Sequence, residues 1–367
     1  MAKTTYIAPM SNNQKTIAIV TQTFPPKMGG MEMVMEQLAE NLGTSSYKVK
    51  VFASRPYENS SSYEFYYISG LKWLRNFRKK RLVSHHCDDT SIYICDSWKS
   101  VAAIPKSARK IIVLAHGQEY INKLKKHSKI KSALSRASKI VSSSQFTASL
   151  ITELFPDFSK GITVVYPTYG VKTPTKRQTK QSSQTTQIIT ICRIDQRKGL
   201  RASMEALQQL KYEGLSFQWV IGGTGPDLDY LKQLAENLGL SSRVNFKGRI
   251  TEQEKSEMLS SSDLFLMPSY QEGDSIEGFG ISYIEASSYG LPCIGGKAGG
   301  APEAVINGVT GWTVDGHSKA DIREALQEAI SNTDRRQKFG IAAYNRFKAE
   351  LQSDKALEQL KYIIYST

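Results

Sequence analysis

Short apolar runs alternate with longer segments whose apolar positions recur every three to four residues. Runs at 16–21, 49–53, 92–95, 111–115, 140–142 and 162–166 predict buried strands, and the spacing over 31–41 predicts a helix. The polar stretch 172–187 (KTPTKRQTKQSSQTTQ) interrupts this pattern and predicts an interdomain linker. Alternation then restarts, with strands at 188–192, 217–222, 244–246, 264–267, 293–295 and 311–314. Helical spacing covers 200–212, 228–238, 282–289 and 319–330, and the tail 337–364 reads as helix with charged faces. Strands alternating with helices predict parallel sheets covered on both faces. The expected architecture is therefore α/β, two doubly wound domains in series. Such folds bind ligands at the carboxyl ends of their strands.

Composition narrows the class without naming it. Over 367 residues the chain is 40% hydrophobic and 22% charged, an ordinary globular balance. No run of about 18 apolar residues predicts a membrane-spanning helix. The first 14 residues lack the apolar stretch of a signal peptide. Cys87, Cys95, Cys192 and Cys293 are scattered without metal-ligand spacing, as expected of a reduced, cytoplasmic protein without structural disulfides or zinc.

The net charge of +14 becomes informative once it is located. Residues 1–172 hold 25 Lys+Arg against 11 Asp+Glu, whereas the rest of the chain holds 23 of each. The densest stretch is 99–139, with eleven cations and only Glu119 against them. A second cluster comprises Lys72, Arg75, Arg78, Lys79, Lys80 and Arg81. One half thus faces something anionic, whether nucleic acid, a membrane surface or an acidic acceptor. Within 70–82 (GLKWLRNFRKKRL), Leu71, Trp73, Leu74 and Phe77 share the segment with six cations. That is the composition of an interfacial helix with an aromatic anchor, or of a basic amphipathic helix packed on its domain.

Several motifs fall at strand ends. Gly29 and Gly30, in FPPKMGG, lie between the first strand and first helix. There they let backbone amides approach a phosphate, or simply form a tight turn. IGGTGP, with Gly223, is an incomplete dinucleotide fingerprint, lacking the final glycine. Asp227 and Asp229 form a D-x-D, but they follow Pro226 and fit the acidic first turn of a helix better than a metal site. Arg193 and Lys198 follow a buried strand at a spacing that suits a pyrophosphate, although surface cations have the same pattern. Glu277 and Glu285 bracket a glycine turn, EGFGISYIE, whose Gly280 and Ile281 amides open a helix. Gly299 and Gly300 form a second glycine turn ahead of a helix. His116, in LAHGQE, ends an apolar strand. The sequence contains no P-loop, nucleophile elbow or H-E-x-x-H motif.

Taken in order, FPPKMGGMEMV, HGQE, VSSSQFT, VVYPTYGV, CRIDQRKG, IGGTGP, VNFKGRIT, the E-x7-E segment with EASSYGLP, and GGAPEAVINGVTGWTV resemble the retaining glycosyltransferases of family 4. The form EGDSIEGFGISYIEASSYGLPCIGGKAGGAPE is most similar to the branch of bacterial mannosyltransferases acting on phosphatidylinositol mannosides. The resemblance implies the GT-B fold: two Rossmann-like domains facing a central cleft, with a C-terminal helix crossing back to the first. It implies an acceptor domain over 1–171, joined by a helix at about 348–367, and a donor domain over 172–347. His116 would contact the donor sugar. Arg193 and Lys198 would neutralise the diphosphate leaving group. Glu277, Gly278, Phe279, Gly280 and Ile281 would hold sugar hydroxyls and the β-phosphate, and Glu285 the ribose. Lys247, Arg249 and Ile250 would lie by the base, with Gly29, Gly30 and Gly223 against the donor. Cys192 and Thr168 depart from the family pattern.

The implied reaction is hexose transfer with retention, leaning to mannose from GDP-mannose, onto a lipid-linked or cell-envelope glycan. No cofactor or metal is expected. UDP-glucose, N-acetylglucosamine or galactose donors share the motifs. An epimerase or a glycogen-type synthase on the same plan is the alternative enzyme. A basic membrane-surface protein without catalysis and a nucleic-acid binder are the other readings, but neither a recognition helix nor a stacking platform is present for the last. The expected partners are a nucleotide sugar, a glycan or glycolipid and an anionic membrane surface. The expected place is the cytoplasmic face of the membrane, as a peripheral protein.

Overall fold

The computed structural model describes residues 14–26, 29–45, 47–58, 60–71, 74–174 and 184–367. Among these are two sheets. The first joins β1 (Thr16–Val20), β2 (Lys48–Ala53), β3 (Tyr63–Tyr67), β4 (Ile92–Cys95), β5 (Lys110–Ala115), β6 (Lys139–Ser142) and β7 (Ile162–Val164) in the order β3-β2-β1-β4-β5-β6-β7. The second joins β8 (Thr186–Ile191), β9 (Phe217–Gly222), β10 (Val244–Gly248), β11 (Leu264–Met267), β12 (Cys293–Gly296) and β13 (Gly311–Val314) in the order β10-β9-β8-β11-β12-β13. Pairing is parallel, with Ile17 opposite Val49 and Ile92, and Ile188 opposite Trp219 and Leu264. Both are Rossmann-like α/β sheets, as predicted. The apolar runs form their buried strands: β4, β11 and β12 are buried along their whole length.

The helices with the first sheet are α1 (Gly30–Gly43), α2 (Arg75–His86), α3 (His127–Leu134) and α4 (Gln145–Leu154). After β8 follow, in chain order, α5 (Leu200–Tyr212), α6 (Leu228–Asn237), α7 (Glu252–Ser261), α8 (Ile281–Ser288), α9 (Ala301–Ala304), α10 (Lys319–Ser331), α11 (Thr333–Arg346) and α12 (Ser353–Ser366). Amphipathic spacing explains α5, whose Leu200, Met204, Leu207 and Leu210 are buried at intervals of three and four residues. They pack with Trp219, whose indole N–H donates to Thr190 Oγ1 at 3.0 Å. Helix α7 starts with a complete capping box between Thr251 and Glu254.

Contacts divide the chain into two compact units. Among the described residues, one comprises those within Met1–Val113 with Ser132–Lys139 and Thr367, and the other those within Leu114–Lys131 and Ile140–Ser366. Of the predicted linker, 175–183 lies outside the described residues, and Thr186 and Gln187 already belong to β8. The predicted single tail helix is instead α11 and α12, separated by a wider turn at Phe347–Leu351 and by Gln352. Ser353 at the start of α12 donates to the carbonyl of Tyr169. No helix among the described residues is long and apolar enough to cross a membrane.

Candidate active site

In the second sheet the strand order reverses between β8 and β11, and the loops leaving their carboxyl ends diverge. The loop after β8 closes in a tight turn, Gln196–Lys198, ended by Gly199 in the left-handed region (φ 72°). A methyl group on Gly199 would land on the carbonyl of Pro268, so this turn packs directly on the loop after β11. That contact brings Lys198 and Arg197 to Glu277. Lys198 Nζ donates to Glu277 Oε2 at 2.5 Å and Arg197 Nη1 to the same oxygen at 3.0 Å. The three side chains are only 8%, 13% and 16% exposed respectively. Burial pushes the Glu277 carboxyl up, but the charges and hydrogen bonds of Lys198 and Arg197 outweigh it and hold the pKa at about 2.

Glycines let backbone close in around this carboxylate. Gly300 N–H donates to the Glu277 carbonyl at 2.9 Å, which gives the second glycine turn its structural task. A Cβ on Gly300 would strike the carbonyl of Gly278, and one on Gly278 would strike that of His116. His116 is therefore brought against the Glu277 loop, within the same compact unit. Its backbone N–H is held by Glu119 Oε1 at 2.7 Å, and Gln118 donates to the Ile276 carbonyl at 2.8 Å. Both ring nitrogens of His116 are buried without a hydrogen-bond partner, so the imidazole retains its full capacity to meet a ligand.

Gly280 (φ 96°) caps α8, which starts at Ile281 and directs free amides from its first turn. Phe279, before it, stacks on Tyr166 with centroids 4.6 Å apart. Glu285, in the second turn of α8, accepts from Lys255 Nζ at 2.6 Å. Around β9, the Gly223 N–H donates to the Gly248 carbonyl at 2.7 Å. Ile250 lies close enough that a Cβ on Gly222 would press its Cδ1. Lys247 is exposed on β10. Arg193 is not drawn into the Glu277 cluster: its side chain is 69% exposed and its nearest acid, Asp195, lies at 4.0 Å. Sequence reasoning singled out Arg193 and passed over Arg197 and Lys255.

The first sheet has its own reversal, between β1 and β4. Asp96, just beyond β4 and 3% exposed, accepts from the backbone N–H of Gln22 (2.7 Å) and Thr23 (3.2 Å) and from the Thr21, Thr23 and Ser100 hydroxyls. It fixes the loop that leads toward Gly29 and Gly30. Gly29 is the N-cap of α1, and the first turn of α1 already contains Glu32, 4% exposed.

Lys79 is a correction to the predicted cationic surface. It is 3% exposed and donates to the Thr21 carbonyl at 2.7 Å. Helical spacing explains this, since Lys79 and Val83 occupy one face of α2 and both are buried. Burial holds its ammonium below the usual lysine range, with Asp96 pulling the other way. Arg75, Phe77, Arg78 and Arg81 are exposed on α2, Lys80 is half-buried, and Lys72 and Trp73 lie outside the described residues.

Residues 171–346 match the family described as Glycosyl transferases group 1. Two mannosyltransferases are similar along nearly the whole chain. The GDP-mannose-dependent alpha-(1-6)-phosphatidylinositol monomannoside mannosyltransferase of Mycobacterium tuberculosis is 25% identical, covering 92% of this chain and 95% of that one. The GDP-mannose-dependent monoacylated alpha-(1-6)-phosphatidylinositol monomannoside mannosyltransferase of Corynebacterium glutamicum is 27% identical, covering 97% and 99%. The fold matches Anabaena HepE, solved with UDP and glucose, at a TM-score of 0.74 and 18% identity, covering 96% of this chain and 100% of that one. It also matches WaaG, a glycosyltransferase involved in lipopolysaccharide biosynthesis, at 0.70 and 18% identity, covering 94% and 98%. The protein has the GT-B fold. Its residues 171–346 match Glycosyl transferases group 1, and its activity is that of a nucleotide-sugar-dependent hexosyltransferase. Within this hexosyltransferase the group 1 match contains Lys198, Glu277 and Glu285, whereas His116 and α2 lie before it.

Proposed function

We propose that the hexosyltransferase moves mannose from GDP-mannose, with retention at the anomeric carbon, to a lipid-linked or cell-envelope glycan, as a family 4 enzyme. The observation that carries the reading is the Glu277–Lys198–Arg197 cluster at the sheet's switch point, beside the open amides of α8. Lys198 and those amides would take the charge that develops on the diphosphate as the glycosidic bond breaks. Arg193, exposed on the same loop, would add a fork to it. Glu277 would accept from sugar hydroxyls, and the unpartnered imidazole of His116 would meet the sugar from the facing loop. Glu285 would take the ribose hydroxyls, with Lys247, Arg249 and Ile250 by the base. The acceptor hydroxyl would attack from the leaving-group side and pass its proton to a phosphate oxygen. No bound metal is required for these steps.

The mannose donor is supported by the two full-length relatives. A membrane-facing acceptor, at the inner face of the cytoplasmic membrane, is supported by the charge of +14 concentrated in residues 1–172. Exposed Leu71 and Phe77 beside Arg75, Arg78 and Arg81 supply apolar and cationic contacts of the kind that a lipid surface takes. The test is a panel of radiolabelled GDP- and UDP-sugars with EDTA present. GDP-mannose is expected to be consumed well above all others. Preferred consumption of a UDP-sugar, or no consumption without a divalent ion, overturns the proposal.

A further inference from the structure

A cavity of about 570 Å³ opens beside the β8–α5 turn, between α5, the start of α6, and the loops after β11 and β13. That size lies within the range of small-ligand sites, about 300–1,000 Å³. None of the residues assigned above to the donor lines it. Arg197 and Lys198 of the turn hold Glu277, while the neighbouring Asp195 and Gln196 line the cavity.

Its walls have a specific chemistry. Tyr270 and His317 lie with ring centroids 4.0 Å apart, and Tyr230, half exposed on α6, supplies a third ring. Of its carboxylates, Glu205 is occupied by two cations, Arg201 at 3.1 Å and Lys319 at 3.9 Å. Asp227 and Asp195 remain as acceptors, with Arg193 Nε at a long 4.0 Å from Asp195 Oδ2. Asp195 Oδ1 is buried without a hydrogen-bond partner, its nearest cation being Arg197 Nε at 3.8 Å. Burial and the Asp195 charge both raise the Asp227 carboxyl above its usual range.

The lining sets three carboxylates, Asp195, Glu205 and Asp227, against two cations, Arg201 and Lys319, so it offers a phosphate or nucleotide no excess of positive charge. Aromatic faces beside hydrogen-bond acceptors instead suit a ring with apolar C–H faces and a rim of hydroxyl donors. We infer that this cavity is a second carbohydrate subsite, holding a neutral hexopyranosyl unit of a glycan apart from the donor. The ring would rest on Tyr270, His317 and Tyr230, and its hydroxyls would donate to Asp195 and Asp227. The inference rests on the hexosyltransferase activity and not on which sugar is transferred.

The test uses the full chain saturated with GDP and titrated with methyl α-D-mannopyranoside, followed by ligand-observed NMR. Tyr230→Ala and His317→Ala are compared with the unmodified protein, and donor hydrolysis is read in parallel. Saturable binding is expected, weakened roughly fivefold or more in each variant, with hydrolysis within about twofold of the unmodified protein. Equal binding by all three proteins, or no saturable binding up to the solubility of the glycoside, overturns the subsite. Joint loss of hydrolysis and glycoside binding in the variants also overturns it, because these side chains would then belong to the donor site.

Discussion

Glu277→Ala is expected to lower the rate of hexose transfer by about 10²–10³ and to destabilise the fold as well. The two effects have separate causes. Lys198 and Arg197 are nearly buried, and removing their shared carboxylate leaves two cations without compensation, at a cost of about 3–5 kcal/mol. Glu277→Gln keeps the shape and one acceptor, so its loss of transfer reports the carboxylate rather than the packing. The pH dependence separates them further. The folded pKa of about 2 lies below the ordinary 4.5, so the pairing stabilises fully above about pH 4.5. That stability is lost as the pH falls toward about 2. The stability gap between the unmodified protein and Glu277→Gln, read by denaturant titration, is expected to narrow over this window. A constant gap would show that the charge of Glu277 is not what the cluster depends on.

Gly223→Ala is expected to destabilise by about 2–4 kcal/mol. Gly223 has φ 132°, where a side chain is strained, and its added methyl would land on the carbonyl of Cys192. That carbonyl belongs to the backbone leaving β8, so relief requires the loop bearing Arg197 and Lys198 to shift. A fall in the denaturation midpoint and a rise in the KM for donor are therefore expected together. Unchanged values for both would contradict the backbone packing described here.

Much of the fold was legible because buried parallel strands are apolar runs, and because α5 shows its period openly over 200–212. Strand β3 escaped for a physical reason. It is an edge strand in which only Tyr63 is buried, so YEFYY carries no apolar run. Helix α7 escaped because Leu259 is its single buried residue and, apart from Met258, its remaining positions are polar. Glu277 and Lys198 could be found from the glycines around them, which mark close backbone approaches. Arg197 could not, since adjacent cations in QRKG look alike until the tight turn aims both at one carboxylate. Lys255 reaches Glu285 from a different helix, a pairing without any sequence signal. Lys79 misled in the opposite sense: a cation within a basic run occupied the inward face of α2.

The most direct measurement is the dissociation constant of GDP, by calorimetry, for the unmodified enzyme and for Lys198→Met with its fold verified by circular dichroism. If Lys198 carries the diphosphate at the switch point of the second sheet, loss of one charge-assisted contact weakens GDP by about 10–100-fold. Affinities equal within about twofold would place the donor's diphosphate elsewhere and contradict the assignment.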